Sequence, residues 1–148
     1  MGKEIKFSKR GDVSLTGNVS FGGNVPFLNI SGRMLMQVRQ KVKNDVVVCY
    51  LAGEVNIDTV SDLKKVFKEL IEANHRKILL NFSDVEYMDS AGLASLIDLS
   101  KSLKNIQGIV FLCSLSPKLM SVFGITRLDK MFKIYETENE ALQDFYGY

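Results

Sequence analysis

The order of elements is decided by residues 77–103, which read KILLNFSDVEYMDSAGLASLIDLSKSL. Residues 77–82 are a short apolar run, the pattern of a buried strand. A polar connection with several acids follows over residues 83–89, and from residue 90 leucine and isoleucine recur at helical spacing until about residue 105. A strand followed by an amphipathic helix indicates an α/β layer fold, with helices packed on a sheet.

The residues before this stretch continue the alternation of strands and helices. Two strand patterns, at about residues 34–42 and 45–53, flank a short polar turn at residues 43–45, which predicts an antiparallel pair. A helix follows that starts at Asp58 or Thr59, since either side chain can cap it. Its apolar residues form one stripe, which we expect to cover the sheet.

The residues after the stretch predict two more strands and two more helices. The strands are expected at about residues 108–114 and 131–135. Between them, Ser116-Pro117 starts a helix, because serine can cap it and proline fits its first turn. Thr137 and Glu140 form a capping box for a terminal helix. The predicted fold class is therefore α/β, with about four helices.

Length and composition limit the class of protein. A chain of 148 residues fits one domain with a modest appendage. Its apolar fraction of 46% and charged fraction of 24% are near the averages for globular proteins, which argues against a fibrous or membrane-embedded chain. No apolar run reaches the roughly 18 to 20 residues that cross a bilayer, and the amino terminus lacks the apolar core of a secretion signal. We therefore expect a cytoplasmic protein without membrane contact.

Few residues are candidates for catalysis or metal binding. Cys49 and Cys113 each lie in an apolar run, where a thiol is typically a small buried hydrophobic group. Together with the single His75, they supply neither a spaced zinc site nor a disulfide framework. The sequence also contains no recognisable nucleophile triad or phosphate-binding glycine loop. Neither an enzyme nor a metal or other cofactor is predicted.

Residues 1–33 differ from the rest of the chain because Gly, Ser and Asn are frequent there. A turn signal at residues 22–24 separates short alternating stretches, so we expect an amino-terminal extension that is either a loose β-hairpin or a flexible arm. Residues 1–43 contain eight basic residues against two acidic ones, but no interleaved aromatic residues and no nucleic-acid motif. A solvated basic extension is therefore favoured over contact with nucleic acid or anionic lipid. The compact domain is predicted over residues 34–148.

Several segments of the predicted domain resemble one known family. Residues 51–54, Leu-Ala-Gly-Glu, precede the helix start at Asp58-Thr59. The most specific segment is NFSDVEYMDSAGL, residues 81–93. Ser116-Pro117 and the segment LDKMFKIY, residues 128–135, follow at compatible spacing. Over about residues 34–146 the chain thus resembles the STAS domains of bacterial anti-sigma factor antagonists.

The resemblance implies a STAS-like mixed β-sheet flanked by about four α-helices, and a function in binding rather than catalysis. In this family the unphosphorylated antagonist binds an anti-sigma factor that is often also a serine kinase, which frees a sigma factor. The kinase phosphorylates the serine after the motif's aspartate and so weakens the complex, and a serine phosphatase restores binding. On this chain the resemblance assigns the phosphoacceptor to Ser90. The predicted partner-binding residues are Asn56, Asp58, Asp89, Ser90, Ala91 and Gly92, on a protein expected to be a monomer.

Two positions depart from the family pattern. Asn56 lies where many antagonists carry an acid, so it retains hydrogen bonding without the charge. Asp58 could supply that charge, or it could simply cap the following helix. Ala91 replaces a second serine found in some relatives, which leaves Ser90 as the clear acceptor.

The residues alone leave two roles open for Ser90, a helix cap and a phosphoacceptor. A phosphoryl group at a helix amino terminus would meet unpaired N–H groups and the positive end of the helix dipole. It would also add about −1.5 to −2 charge beside Asp84, Glu86 and Asp89. Modest repulsion of a partner would suffice, because about 1.4 kcal/mol corresponds to a tenfold change in affinity.

An alternative function is a STAS module in a stress-signalling scaffold or a small-ligand sensor, because one fold can serve several roles. Scattered methionines, Met88, Met120 and Met131, could line a ligand pocket. Core packing or a flexible interface is the favoured interpretation of these side chains.

Overall fold

The computed structural model describes residues 13–14 and 36–147. Within them, the strands are β1 (Val13–Ser14), β2 (Gln37–Lys43), β3 (Val46–Val55), β4 (Lys77–Met88), β5 (Ile109–Cys113) and β6 (Lys133–Tyr135). They lie side by side in chain order. The pairs β1–β2 and β2–β3 are antiparallel, whereas β3–β4, β4–β5 and β5–β6 are parallel, so the sheet is mixed.

Four α-helices occur in the described part of the chain: α1 (Val60–Glu72), α2 (Ser90–Asn105), α3 (Pro117–Ile125) and α4 (Glu138–Tyr146). A short 3-10 helix, Leu128–Lys130, follows α3. The predicted α/β class, with a mixed sheet and about four helices, is confirmed. Two predicted caps are also present, because the Ser116 hydroxyl accepts from the Leu119 N–H and the Thr137 hydroxyl from the Glu140 N–H, each at 3.2 Å.

Strand β4 differs from its prediction, which ended it near Phe82 and left residues 83–89 as a polar connection. The strand continues to Met88 because it keeps pairing with β3 through two shifts of register. Val85 and Met88 are buried, while four polar or half-polar neighbours between Phe82 and Met88 face solvent. The irregular register breaks the strict two-residue alternation, so this part of the strand looks like a loop in sequence.

The helices cover both faces of the sheet. Side chains from α1, α2 and α3 join one core with alternate residues of β3, such as Val47 and Cys49. The other β3 residues, such as Val46 and Val48, face α4 in a second core around Phe111. Cys49 and Cys113 are fully buried, which confirms them as buried hydrophobic groups, and this burial raises the pKa of the Cys49 thiol to about 12.

The amino-terminal predictions fall mainly outside the described residues. Of residues 1–33, the structure describes Val13–Ser14, which pairs with Arg39 and Gln40 of β2. The predicted hairpin around residues 22–24 and the domain start at Met34 lie outside the described residues. Among the described helices, none combines the length and the apolar content needed to cross a membrane.

Candidate functional site

Parallel strands bring the predicted site residues to one edge of the sheet. Because β3 and β4 run in the same direction, their carboxyl ends and the loops after them lie together. Val55, the last residue of β3, is paired with Met88, the last residue of β4. The backbone N–H of Asp89 then donates to the Val55 carbonyl at 3.0 Å. Residues 56–59 and 89–92 therefore meet at this edge.

Asp89 joins the two loops through its side chain. Its Oδ1 accepts hydrogen bonds from the N–H groups of Ala91 (2.9 Å) and Gly92 (3.1 Å). Its Oδ2 accepts from the N–H of Ile57 at 3.0 Å, across 32 positions of sequence. We call these three hydrogen bonds the Asp89 bridge. One carboxylate thus caps α2 and holds the loop after β3.

Asn56 organises that loop from within. Its Oδ1 accepts from the N–H groups of Asp58 (2.9 Å) and Thr59 (3.1 Å), which closes a turn before α1, and its Nδ2 donates to Glu54 Oε1 at 3.2 Å. Thr59 is the N-cap residue of α1, as one of the two predicted starts, but its side chain makes no capping hydrogen bond. A carboxylate in place of the Asn56 amide would lose the Nδ2 donor and face a like charge. The asparagine therefore fits its neighbours here, while the side chain of Asp58 is exposed.

Ser90 is the first residue of α2, and its side chain is exposed. The N-cap position belongs to Asp89, so the prediction that Ser90 could serve as the cap is wrong. The expectation that a phosphoryl group would find unpaired N–H groups is also wrong for Ala91 and Gly92, because the Asp89 carboxylate already occupies them. The side chain of Ser90 is open to solvent, and a charge placed on it would lie next to the bridge.

Gly92 and Ala91 lie behind Ser90 rather than beside it on the surface. Gly92 is buried and Ala91 is half-buried. A Cβ atom on Gly92 would come within 2.6 Å of Met88 Cγ and 2.9 Å of Val55 Cγ1, which is closer than packing allows. The absence of a side chain at this position lets α2 start directly against the ends of β3 and β4.

The edge is acidic and carries an apolar residue that the sequence argument missed. Residues 54–59 and 84–92, at or next to the edge, contain five Asp or Glu and no Lys, Arg or His. Within the first of these segments, Ile57 has a relative exposure of 71%. The sequence offered one signal for this exposed residue, namely an aliphatic side chain between Asn56 and Asp58 in a loop after a buried strand. That signal was not sufficient, because a loop has no periodicity from which the exposure of a side chain can be predicted.

The structure also bears on the ligand-sensor alternative. Met88 is buried in the core, whereas Met120 and Met131 are 39% and 40% exposed, so the three methionines do not share one pocket. A groove of about 330 Å³ lies instead between α1 and α2, over Phe67 and Leu99. Both basic residues (Lys64 and Lys68) and acidic residues (Glu72 and Asp98) line this groove, so its charge does not indicate a particular class of ligand. Within residues 13–14 and 36–147, no group of three or more His, Cys, Asp or Glu side chains is placed to hold a metal ion.

A family model, related sequences and solved structures all show similarity to the same family of proteins. The STAS domain model matches residues 37–141. A relative from Thermotoga neapolitana, named as an anti-sigma factor antagonist, is 38% identical over 108 residues, which are 72% of this chain and 96% of that protein. The crystal structure of an anti-sigma factor antagonist from Thermotoga maritima matches with a TM-score of 0.68 and 36% identity, covering 71% of this chain and 91% of that one. The phosphorylated form of the Bacillus cell fate determinant SpoIIAA matches with a TM-score of 0.60 and 25% identity, covering 74% and 98%.

Proposed function

The chain belongs to the STAS domain family, and on this premise we propose that it is an anti-sigma factor antagonist switched off by phosphorylation of Ser90. In its unphosphorylated form it binds an anti-sigma factor that is also a serine kinase, and the sigma factor is released. A serine phosphatase returns the phosphorylated form to the binding state. Such partners act on transcription, so we place the protein in the cytoplasm.

One observation carries this proposal: the Asp89 bridge places an exposed serine at the start of a helix and ties it to the loop of Asn56 and Asp58. All of these side chains belong to one edge of the sheet, so a single partner can contact them together. The relatives named above support the direction of the assignment, because two are named anti-sigma factor antagonists and a third was solved in a phosphorylated form.

The bridge suggests how phosphorylation weakens binding. The kinase transfers the γ-phosphoryl group of ATP to the Ser90 oxygen. A new O–P bond forms, the bond between the γ-phosphorus and the β–γ bridging oxygen breaks, the hydroxyl proton passes to a base of the kinase, and ADP leaves. The new group carries about −1.5 to −2 charge at neutral pH. The phosphoryl group lies one residue from the Asp89 carboxylate, which already accepts hydrogen bonds from the backbone N–H groups of Ile57, Ala91 and Gly92. Repulsion between the two anions disfavours the bridged arrangement and therefore changes the docking edge without unfolding the core.

A capture experiment from the source cells tests the proposal. Wild-type protein, Ser90→Ala and Ser90→Asp serve as baits, and bound proteins are identified by mass spectrometry. We expect wild type and Ser90→Ala to retain a serine kinase, Ser90→Asp to lose it, and Ser90→Ala to resist phosphorylation by it. Ser121→Asp, a charge on an exposed serine of α3, should bind like wild type.

Two results would reject the assignment. Stoichiometric phosphorylation of Ser90→Ala at a single site would mean that Ser90 is not the acceptor. Equal recovery of the kinase with Ser90→Asp and Ser121→Asp would mean that charge at the start of α2 does not control binding.

A further inference from the structure

Ile57 is an apolar side chain exposed at the same edge as Ser90. It is 71% exposed, while Val55, two residues earlier, is fully buried. Its backbone is held by the Asp89 bridge on one side and by the hydrogen bonds of Asn56 and Thr59 on the other. The side chain is thus presented to solvent on a loop whose hydrogen bonds fix its conformation, which reduces the ordering cost of binding.

We propose that Ile57 is the apolar anchor of the partner interface and inserts into an apolar pocket of the serine kinase that is bordered by basic side chains. This inference rests on the proposed function and adds the residue that supplies the binding energy. An exposed aliphatic side chain on a hydrogen-bonded loop, with polar neighbours on both sides, has the character of an interface hot spot, since its burial removes apolar area from water.

The charge around Ile57 determines the kind of pocket that fits. Residues 54–59 and 84–92, which lie at or next to this edge, contain five acids and no basic residue. Asp58, next to Ile57, is exposed, and so are Asp84 and Glu86 near the end of β4. A partner with an acidic rim would be repelled, whereas basic residues around the pocket would steer the two proteins together.

The same arrangement accounts for the direction of the switch. A phosphoryl group on Ser90 would be attracted by basic side chains around the kinase pocket. Electrostatic repulsion between that group and the kinase therefore does not explain why phosphorylation weakens binding. The phosphoryl group on Ser90 must instead give up its water when the apolar contact around Ile57 closes. The phosphoryl group also competes with the Asp89 carboxylate for backbone N–H donors, among them the Ile57 N–H that donates to Asp89 Oδ2. Phosphorylation is therefore expected to weaken the contact that Ile57 makes.

Titration calorimetry with the purified kinase tests whether Ile57 is the anchor. The kinase is obtained by capture with Ser90→Ala. The baits are wild type, Ile57→Ser, Ile57→Leu and the control Ile125→Ser, whose isoleucine is 81% exposed at the end of α3. We expect Ile57→Ser to raise Kd roughly tenfold or more, and Ile57→Leu and Ile125→Ser to stay within about threefold of wild type. Raising salt from about 0.05 M to about 0.5 M should weaken the wild-type complex.

The possible failures are distinguishable. If wild type binds the kinase and Ser90→Asp does not, but Ile57→Ser binds like Ile125→Ser, the anchor is wrong and the proposed function stands. If wild type binds no serine kinase, the proposed function itself is wrong. If the affinity does not depend on salt, the proposal that basic side chains border the kinase pocket is wrong. Equal urea midpoints for the two Ile→Ser variants exclude misfolding as the cause of any loss.

Discussion

At the scale of single residues, the Asp89 carboxylate has two separable tasks, and Asp89→Asn separates them. An asparagine oxygen can still accept from Ala91 and Gly92, but its Nδ2 would then face the Ile57 N–H, donor against donor. The opposite orientation would leave the cap unsatisfied instead. We expect a loss of about 1 to 2 kcal/mol in the free energy of unfolding, measured with urea, and faster hydrogen exchange at the Ile57 amide.

Asp84→Asn is the matched control for this prediction, because Asp84 is an exposed acid of β4 at the same edge. It removes the same charge without touching the bridge, so its unfolding free energy and the exchange at Ile57 should remain those of wild type. If the two variants protect the Ile57 amide equally, the hydrogen bond from Ile57 to Asp89 is not important for the loop.

The sequence predicted which elements carry the candidate site residues, but it did not predict the contacts of these residues. Ser90 was correctly predicted as the start of a helix, since the apolar spacing begins there. The capping role of Asp89 and the amide network of Asn56 were not predicted, because Asp89 and Ile57 are 32 positions apart and meet only through parallel pairing of β3 and β4. Short spacing encodes caps and turns, whereas a bridge between two loops depends on the tertiary fold.

At the scale of elements, α4 is attached to the sheet by a charged side chain in its first turn. Glu138 accepts hydrogen bonds from Lys43 (2.5 Å), Tyr50 (2.9 Å) and Asn81 (3.1 Å), which belong to β2, β3 and β4. Burial alone would raise the pKa of this carboxyl, but the three donors outweigh it and hold the pKa below its usual 4.5. The ionised form of Glu138 therefore stabilises the folded state.

Glu138→Gln should therefore destabilise the protein at neutral pH, and the effect should depend on pH. The folded-state pKa is depressed, so the contribution of Glu138 is fully present above about pH 4.5 and is lost as the pH falls through the folded value. We expect a loss of about 2 kcal/mol at pH 7 and a smaller difference from wild type below pH 4, measured by urea denaturation at each pH. Glu140→Gln, on an exposed residue of the same turn, is the control. A constant difference between pH 7 and pH 3 would contradict the assignment.

The elements themselves were predicted to different extents. The starts of α3 and α4 follow from Ser116 and Thr137, because a cap is a local signal. The contact of Glu138 with three strands could not be predicted, since nothing in the spacing shows which strand lies under α4. The end of β4 was placed too early because its shifted register hides the alternation on which strand prediction depends.

At the scale of the whole molecule, we expect the predicted domain to be independent of the amino-terminal extension. The buried apolar residues of both cores lie between Met36 and Phe145. The described part of the extension, Val13–Ser14, adds two pairs to the edge of β2. Residues 1–33 contain five basic and two acidic residues, so they contribute a net charge of +3. The predicted domain over residues 34–148 contains all of these described core residues and the candidate docking edge.

Removal of residues 1–33 is accordingly expected to leave both stability and binding nearly unchanged. A fragment of residues 34–148 should unfold in one transition, with an unfolding free energy within about 1 kcal/mol of the full chain, because no core side chain described here is lost. Its affinity for the kinase should also match, since Ile57 and Ser90 keep their positions. Urea denaturation and calorimetric titration of both proteins measure the two quantities. A loss above about 3 kcal/mol would mean that the extension belongs to the folded unit, and a weaker complex with unchanged stability would mean that its basic residues take part in docking.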